Sequence, residues 1–124
     1  MPLVKQKLPD LPALTIRQPW AEFVMAGWKN KEWRTWPTDY RGPFYVHAAA
    51  RPAKNLKGVF REYYDEHKDV LRYGGLLGIA ELLDCVRDDK SGLYFFLVRP
   101  VRRIRFVAMP GALKFFRLPA GLRA

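Results

Sequence analysis

Cysteine and histidine are scarce in this sequence: Cys85 is the one cysteine among 124 residues, and there are two histidines, His47 and His67. A single cysteine excludes a disulfide bond within the chain and a zinc site built from several thiolates. Two histidines and one cysteine are too few for a typical zinc site, so we expect no metal site and no cofactor.

Long uncharged apolar runs are also absent, since no stretch approaches the roughly 18 residues that a membrane span needs. The N-terminal segment MPLVKQKLPD lacks the apolar middle region of a secretory signal peptide. We therefore expect a cytoplasmic protein with no membrane partner. The composition is 49% hydrophobic and 27% charged, which excludes an intrinsically disordered chain and is typical of one folded domain.

Acidic residues are few relative to basic ones, with 12 Asp and Glu against 22 Lys and Arg, which gives a net charge of +10. The segment 93–124 carries no acidic residue at all. Its cations are Arg99, Arg102, Arg103, Arg105, Lys114, Arg117 and Arg123. Such a one-sided charge favours a polyanionic partner over a merely solvated surface.

The hydrophobic pattern predicts an α+β domain. Residues 1–13 contain three prolines and are expected to form an extended arm, and 14–124 to form the domain. Strands are predicted at 14–16, 31–36, 44–48, 76–85, 93–99 and 101–108. Helices are predicted from Pro19 to Ala26, with Gly27 as the stop, and from Pro52 to a point before Gly74. The short connections favour a small barrel of five or six mostly antiparallel strands with two main helices.

Four motifs of the first half of the chain stand out. They are the run Leu14-Thr-Ile-Arg-Gln-Pro-Trp-Ala21, the run Gly27-Trp-Lys-Asn-Lys-Glu-Trp-Arg-Thr-Trp36, Tyr40-Arg-Gly42 and Val46-His-Ala48. Together they resemble the ASCH domain family. The tail Pro110-Gly-Ala-Leu-Lys-Phe-Phe-Arg-Leu118 is similar to the closing segment of the family, except that Lys114 stands where a second glycine is common. The resemblance implies a PUA-like barrel and an association with RNA or other nucleic acid.

A charged pocket is the first part of the predicted site. Strand alternation puts Glu32, Arg34 and Trp36 on one face, and Lys29 follows the glycine that ends the first helix. Lys29 and Arg34 would supply donors to a phosphate or a base carbonyl, and Glu32 would accept from an exocyclic amine. The simpler alternative is that these charges only satisfy one another.

The remaining candidate nucleic-acid contacts surround that pocket. Arg17, Gln18 and Trp20 are expected to form a second wall, with the amide of Gln18 pointing toward the opening. We expect further contacts from Tyr40, Arg41 and His47, and from Arg99, Arg103 and Arg105 as a row of cations on one face of an extended strand. An edge strand that is charged against aggregation is the alternative for that row.

Two alternatives to a nucleic-acid-binding domain stay open. One is a hydrolase that uses Lys29 and Glu32 in the same pocket, either a ribonuclease or an enzyme acting on N4-acetylcytidine. Relatives with the latter activity rely on a lysine that matches Lys29 and on a threonine three residues later, where this chain has Glu32; Thr35 lies close by in the sequence. The other alternative is an adaptor whose basic surface binds an acidic protein.

Overall fold

Six strands and two helices make up the fold in the computed structural model, which describes residues 6–124. In chain order they are β1 (Pro12–Ile16), α1 (Trp20–Ala26), β2 (Lys31–Arg34), β3 (Gly42–Ala48), α2 (Gly58–His67), β4 (Gly75–Arg87), β5 (Tyr94–Ala108) and β6 (Phe115–Arg117). The expected α+β class is confirmed. Within the described residues, neither helix has the length or the apolar character to cross a bilayer.

The strands form one mixed sheet in the order β2-β5-β4-β3-β1-β6. Strand β1 runs parallel to β3, and the other four neighbouring pairs are antiparallel. In the described part of the chain β2 and β6 are the two edges and do not pair with each other. The expectation of a closed barrel is therefore not met, because the backbone ladder stops at these two edges and leaves the sheet open.

Side chains nevertheless connect the two ends of the open sheet. The Arg34 guanidinium at the end of β2 donates a hydrogen bond of 2.8 Å to the backbone carbonyl of Thr15 on β1. Trp36, just after β2, packs edge-on against Phe115 of β6 with ring centroids 6.0 Å apart. The sheet is thus curled, and the space between its ends is bounded by side chains instead of a strand pair.

Helix α1 covers one face of the sheet and fixes the start of the candidate site. Its residues Ala21, Val24 and Met25 belong to the same buried cluster as Phe96 and Val98 of β5. The helix ends at Gly27, whose φ of 79° is left-handed backbone that favours glycine. This confirms the predicted helix stop, and it sends the chain toward Lys29 and β2.

Other predicted boundaries were wrong. The second helix begins at Gly58 instead of Pro52. Strand β5 runs continuously through Pro100, although a break was expected there. Proline is tolerated at this position because, among residues 6–124, no strand covers that side of β5 beyond Leu97 and because the register of β5 with β4 shifts beside it.

Of the expected N-terminal arm, residues 1–5 lie outside the described residues. The part that is described contacts the fold, since Leu8 is buried and the backbone N–H of Leu8 donates a 3.0 Å hydrogen bond to the carbonyl of Leu122. Strand β1 also starts at Pro12, two residues before the predicted strand. The division into an arm and a domain at residue 13 stays a prediction.

Candidate functional site

A cavity of about 940 Å³ opens where the two ends of the curled sheet face each other. Its walls come from β1, β2, the start of α1, α2 and the loop before β6. The lining residues are Thr15, Arg17, Trp20, Lys29, Glu32, Trp33, Arg34, Thr35, Trp36, Ala49, Ala53, Phe60, Ala112, Leu113 and Lys114. The volume is within the range of about 300–1,000 Å³ that is typical of small-molecule sites.

The three charged residues of the predicted pocket all line this cavity. Glu32 is buried, and its Oε1 lies 3.7 Å from Nε of Arg34. The Lys29 ammonium donates a hydrogen bond to the backbone carbonyl of Lys31 and lies 5.7 Å from the centroid of the Trp20 ring. Strand alternation brings Glu32 and Arg34 to one side, and the turn after Gly27 places Lys29 beside them.

Two polar atoms of this group are buried without a hydrogen-bond partner: Oε2 of Glu32 and Nε of Arg34. A buried polar atom with no partner costs free energy, so such atoms call for an explanation. Here one is an acceptor and the other a donor, and both belong to residues that line an open cavity. They form a place where a ligand with a neighbouring donor and acceptor would satisfy both.

Burial shifts the protonation equilibria of all three groups. It raises the pKa of the Glu32 carboxyl, against the opposing effect of the Arg34 and Lys29 cations. It lowers the pKa of the Lys29 ammonium, an effect that Glu32 partly offsets, and it lowers the pKa of the Arg34 guanidinium. Lys29 and Glu32 are thus both shifted toward neutral pH, which is the direction that general acid–base chemistry requires.

Aromatic rings form much of the cavity wall. Trp20 packs edge-on against Phe60 of α2, with ring centroids 4.9 Å apart. Trp36 packs against Phe96 in the core at 5.2 Å, and the ammonium of Lys114 lies 5.6 Å from the Trp36 ring centroid. Flat apolar rings beside cations are suited to stacking against an unpaired base.

Sequence reasoning missed several residues of the cavity. Phe60 and Leu113 belong to segments far from β2 in the sequence, and Leu113 is 92% exposed at the rim. Lys114 is one of the cations of segment 93–124 but was not assigned to the pocket, and its positive φ of 57° is consistent with a glycine position. The lysine in place of a glycine was the sequence signal for this residue, because it puts a cation where the backbone conformation favours glycine.

Two predicted residues, Gln18 and His47, do not reach the cavity. The Gln18 amide donates to the carbonyl of Arg72 at 2.9 Å and accepts from the N–H of Glu22 at 2.9 Å. It was expected to point toward the opening; instead it holds α1 to the loop after α2. His47 is buried, with its ring 3.1 Å from Oγ1 of Thr15 and 2.7 Å from the carbonyl of Met109.

Tyr40 and Arg41 also lie outside the cavity lining. Tyr40 packs its ring against Phe115 and donates its hydroxyl to the carbonyl of Pro43. Arg41 donates to the carbonyls of Thr38 and Tyr40 and lies 3.4 Å from Asp84. Both residues therefore hold the turn before β3.

The expected row of arginines on β5 is wrong, because the strand contains a bulge. Ile79 of β4 is opposite Arg102 while Ala80 is opposite Pro100, so Val101 is an extra residue that reverses the alternation of side chains. As a result, Arg99 bonds Glu81 at 2.8 Å, whereas Arg103 bonds Glu22 of α1 at 2.7 and 2.5 Å. Arg103 and Arg105 both line a cleft that is separate from the cavity between β1 and β2.

Comparisons with known proteins point to one family. The profile of the ASCH domain matches residues 14–92, which include β2 and most of the cavity wall but not the loop that carries Lys114. The chain is similar to human Activating signal cointegrator 1, at 29% identity over 85 residues, and to the mouse protein of that name, at 31%. Each alignment covers 59% of this chain and 14% of the relative, so the chain corresponds to a small part of these proteins.

Proposed function

The chain belongs to the ASCH domain family, and we propose that it binds RNA or another single-stranded nucleic acid, with one base held in the cavity between β1 and β2. The observation that carries this proposal is the buried Oε2 of Glu32, which has no partner and lies beside the unpartnered Nε of Arg34. Every nucleobase presents a donor next to an acceptor on its pairing edge, which would satisfy both atoms.

The surroundings of these two atoms support a nucleotide over a smaller ligand. Trp20 and Trp36 line the cavity and provide aromatic rings against which a base would pack. Arg17, Lys29 and Lys114 line the same cavity and would neutralise the adjoining phosphates. The proposal also includes a PUA-like architecture, which the curl of the open sheet supports.

Titration of a labelled mixed-sequence single-stranded RNA at several salt concentrations tests this function. We expect affinity to fall as salt rises, because cations on the protein displace counterions from the phosphates. Lys29→Ala is expected to weaken binding, whereas Lys90→Ala, which changes an exposed turn lysine by the same charge, is the matched control. Glu32→Gln should change the preference between bases more than the overall affinity.

Two outcomes would contradict the proposal. Wild-type protein that fails to bind RNA even at low salt would favour an acidic protein as the partner of the basic surface. Equal effects of Lys29→Ala and Lys90→Ala would show that the cavity takes no part in RNA binding.

A hydrolase is the second candidate, because burial shifts the pKa values of Lys29 and Glu32 in opposite directions within one cavity. Glu32 would accept a proton and Lys29 would stabilise a developing negative charge. Thr35 also lines the cavity. Incubation of highly purified protein with RNA and with N4-acetylcytidine, followed by separation of products, tests this candidate; a product that disappears with Lys29→Ala would establish it.

A further inference from the structure

In the part of the chain that the structure describes, one side of β5 has no neighbouring strand over most of its length. Strand β2 pairs with β5 only from Tyr94 to Leu97, while β4 covers the opposite side. The backbone N–H of Val98 still bonds the carbonyl of Asn30 at 2.9 Å, and from 99 to 108 no strand among the described residues covers this edge. An uncovered edge presents backbone N–H and C=O groups to whatever lies beside it.

A cleft of about 250 Å³ lies between this edge and residues 6–8. Its lining residues are Gln6, Lys7, Leu8, Arg102, Arg103, Ile104, Arg105 and Ala124. Four of them are cationic and none is Asp or Glu. Residues 6–8 form the wall opposite β5, and they are fixed there because Gln6 and Ala124 exchange backbone hydrogen bonds of 2.9 and 3.1 Å.

Three of these four cations are not neutralised by a neighbouring carboxylate. Arg103 has Glu22 as its partner, but among residues 6–124 no Asp or Glu lies within ion-pair distance of Lys7, Arg102 or Arg105. Residues 1–5 contain no acid either. The bulge at Val101 places Arg103 on the face of β5 opposite to Arg99, where it reaches Glu22 of α1. Arg102 and Arg105 line the cleft without such a partner.

We propose that this cleft binds a backbone phosphate of the same nucleic acid whose base occupies the cavity between β1 and β2, an inference that rests on the proposed function. Guanidinium groups bind phosphate oxygens with paired hydrogen bonds. Two residues of helix α1 line different cavities: Trp20 lines the cavity between β1 and β2, and Glu22 lines a smaller one. Arg103 lines both this smaller cavity and the cleft, so the smaller cavity lies between the other two.

The experiment measures the salt dependence of RNA binding for two double variants with the same change in net charge. Arg102→Ala/Arg105→Ala removes two cations of the cleft. Arg61→Ala/Arg87→Ala is the control, because these exposed arginines are paired with Asp65 and Asp89 far from the cleft in the sequence. The probe is a labelled mixed-sequence single-stranded RNA of about 16 nucleotides, compared with one of about 4 nucleotides.

For the longer RNA, we expect the cleft variant to reduce the slope of log K against log salt by about 0.7, which is the contribution of one neutralised phosphate on a single strand. The control should leave the slope unchanged, and the shorter RNA should show little difference between the variants. Arg102→Lys/Arg105→Lys should restore most of the slope, because it restores the charge.

Three other outcomes would contradict the cleft proposal, and the third would also contradict the proposed function. If wild type binds the longer RNA and both alanine variants change the slope equally, the cleft proposal is wrong and the proposed function stands. If the cleft variant aggregates while its slope is unchanged, the arginines protect the edge of β5 and the cleft proposal is again wrong. If wild type binds neither RNA, the proposed function fails, and the cleft proposal fails with it.

Discussion

The Arg34 guanidinium donates a hydrogen bond to the backbone carbonyl of Thr15, and this bond joins the two ends of the curled sheet across the candidate site. The same side chain lies 3.7 Å from the Glu32 carboxylate. Arg34 therefore both links β2 to β1 and lines the cavity between them. Its role in stability can be separated from any role in binding.

Arg34→Ala should lower the free energy of unfolding by about 3 kcal/mol, because it removes the bond to Thr15 and leaves Glu32 a buried carboxylate without its nearest cation. Chemical denaturation measures this loss. Arg61→Ala is the control, since it removes an exposed ion pair with Asp65 on α2 and should cost about 0.4 kcal/mol. Losses of equal size would contradict the structural role of Arg34.

Glu32→Gln should change how the free energy of unfolding depends on pH. Burial raises the pKa of Glu32 in the folded protein, so above the ordinary carboxyl pKa the unfolded chain gives up this proton before the folded chain does. As pH rises through that window, wild type should lose stability relative to Glu32→Gln. Denaturant titrations from acidic to neutral pH test this; a constant difference between the two proteins would show that Glu32 titrates normally.

Gly111→Ala should destabilise the loop before β6. A Cβ atom at this position would lie 2.5 Å from Oγ1 of Thr15 and 2.9 Å from Cε1 of His47, and both contacts are too close. We expect a cost of about 2 kcal/mol in the free energy of unfolding, measured by chemical denaturation. RNA affinity should fall as well, since the loop carries Lys114; unchanged stability and affinity would mean that the loop does not pack as described.

Lys114→Gly should separate charge from backbone strain. The residue has a φ of 57°, so glycine removes the cation while it suits the backbone better than any L side chain. We expect the free energy of unfolding to change by less than about 1 kcal/mol, while the salt slope of RNA binding falls by about 0.7. An unchanged slope would exclude Lys114 from contact with the nucleic acid.

The local part of the site was predictable from the sequence because it depends on a helix stop and on strand alternation. Gly27 ends α1, and the spacing of Glu32 and Arg34 puts both side chains on the same side of β2. Neither inference needs any knowledge of distant contacts. The α+β class and the family resemblance follow from similarly local patterns, and both are confirmed.

The failures concern residues whose position depends on distant pairing. The prediction of a row of arginines was wrong because the bulge at Val101 arises from the register of β5 against β4. The predicted orientation of Gln18 was wrong because the partner of its amide, the carbonyl of Arg72, is remote in the sequence. For the same reason, nothing in the sequence places Phe60 and Lys114 at the rim of one cavity.

The four tryptophans offer the most direct measurement of where RNA binds. Trp20, Trp33 and Trp36 line the cavity, whereas Trp28 is 67% exposed and contacts Phe23 and Tyr63 outside it. Their indole N–H signals can be followed in a two-dimensional ¹H–¹⁵N NMR spectrum and assigned with single Trp→Phe variants. When single-stranded RNA is added, the three cavity signals should shift while that of Trp28 stays in place. A shift of the Trp28 signal alone, or RNA binding that moves none of the three cavity signals, would contradict a base in the cavity between β1 and β2.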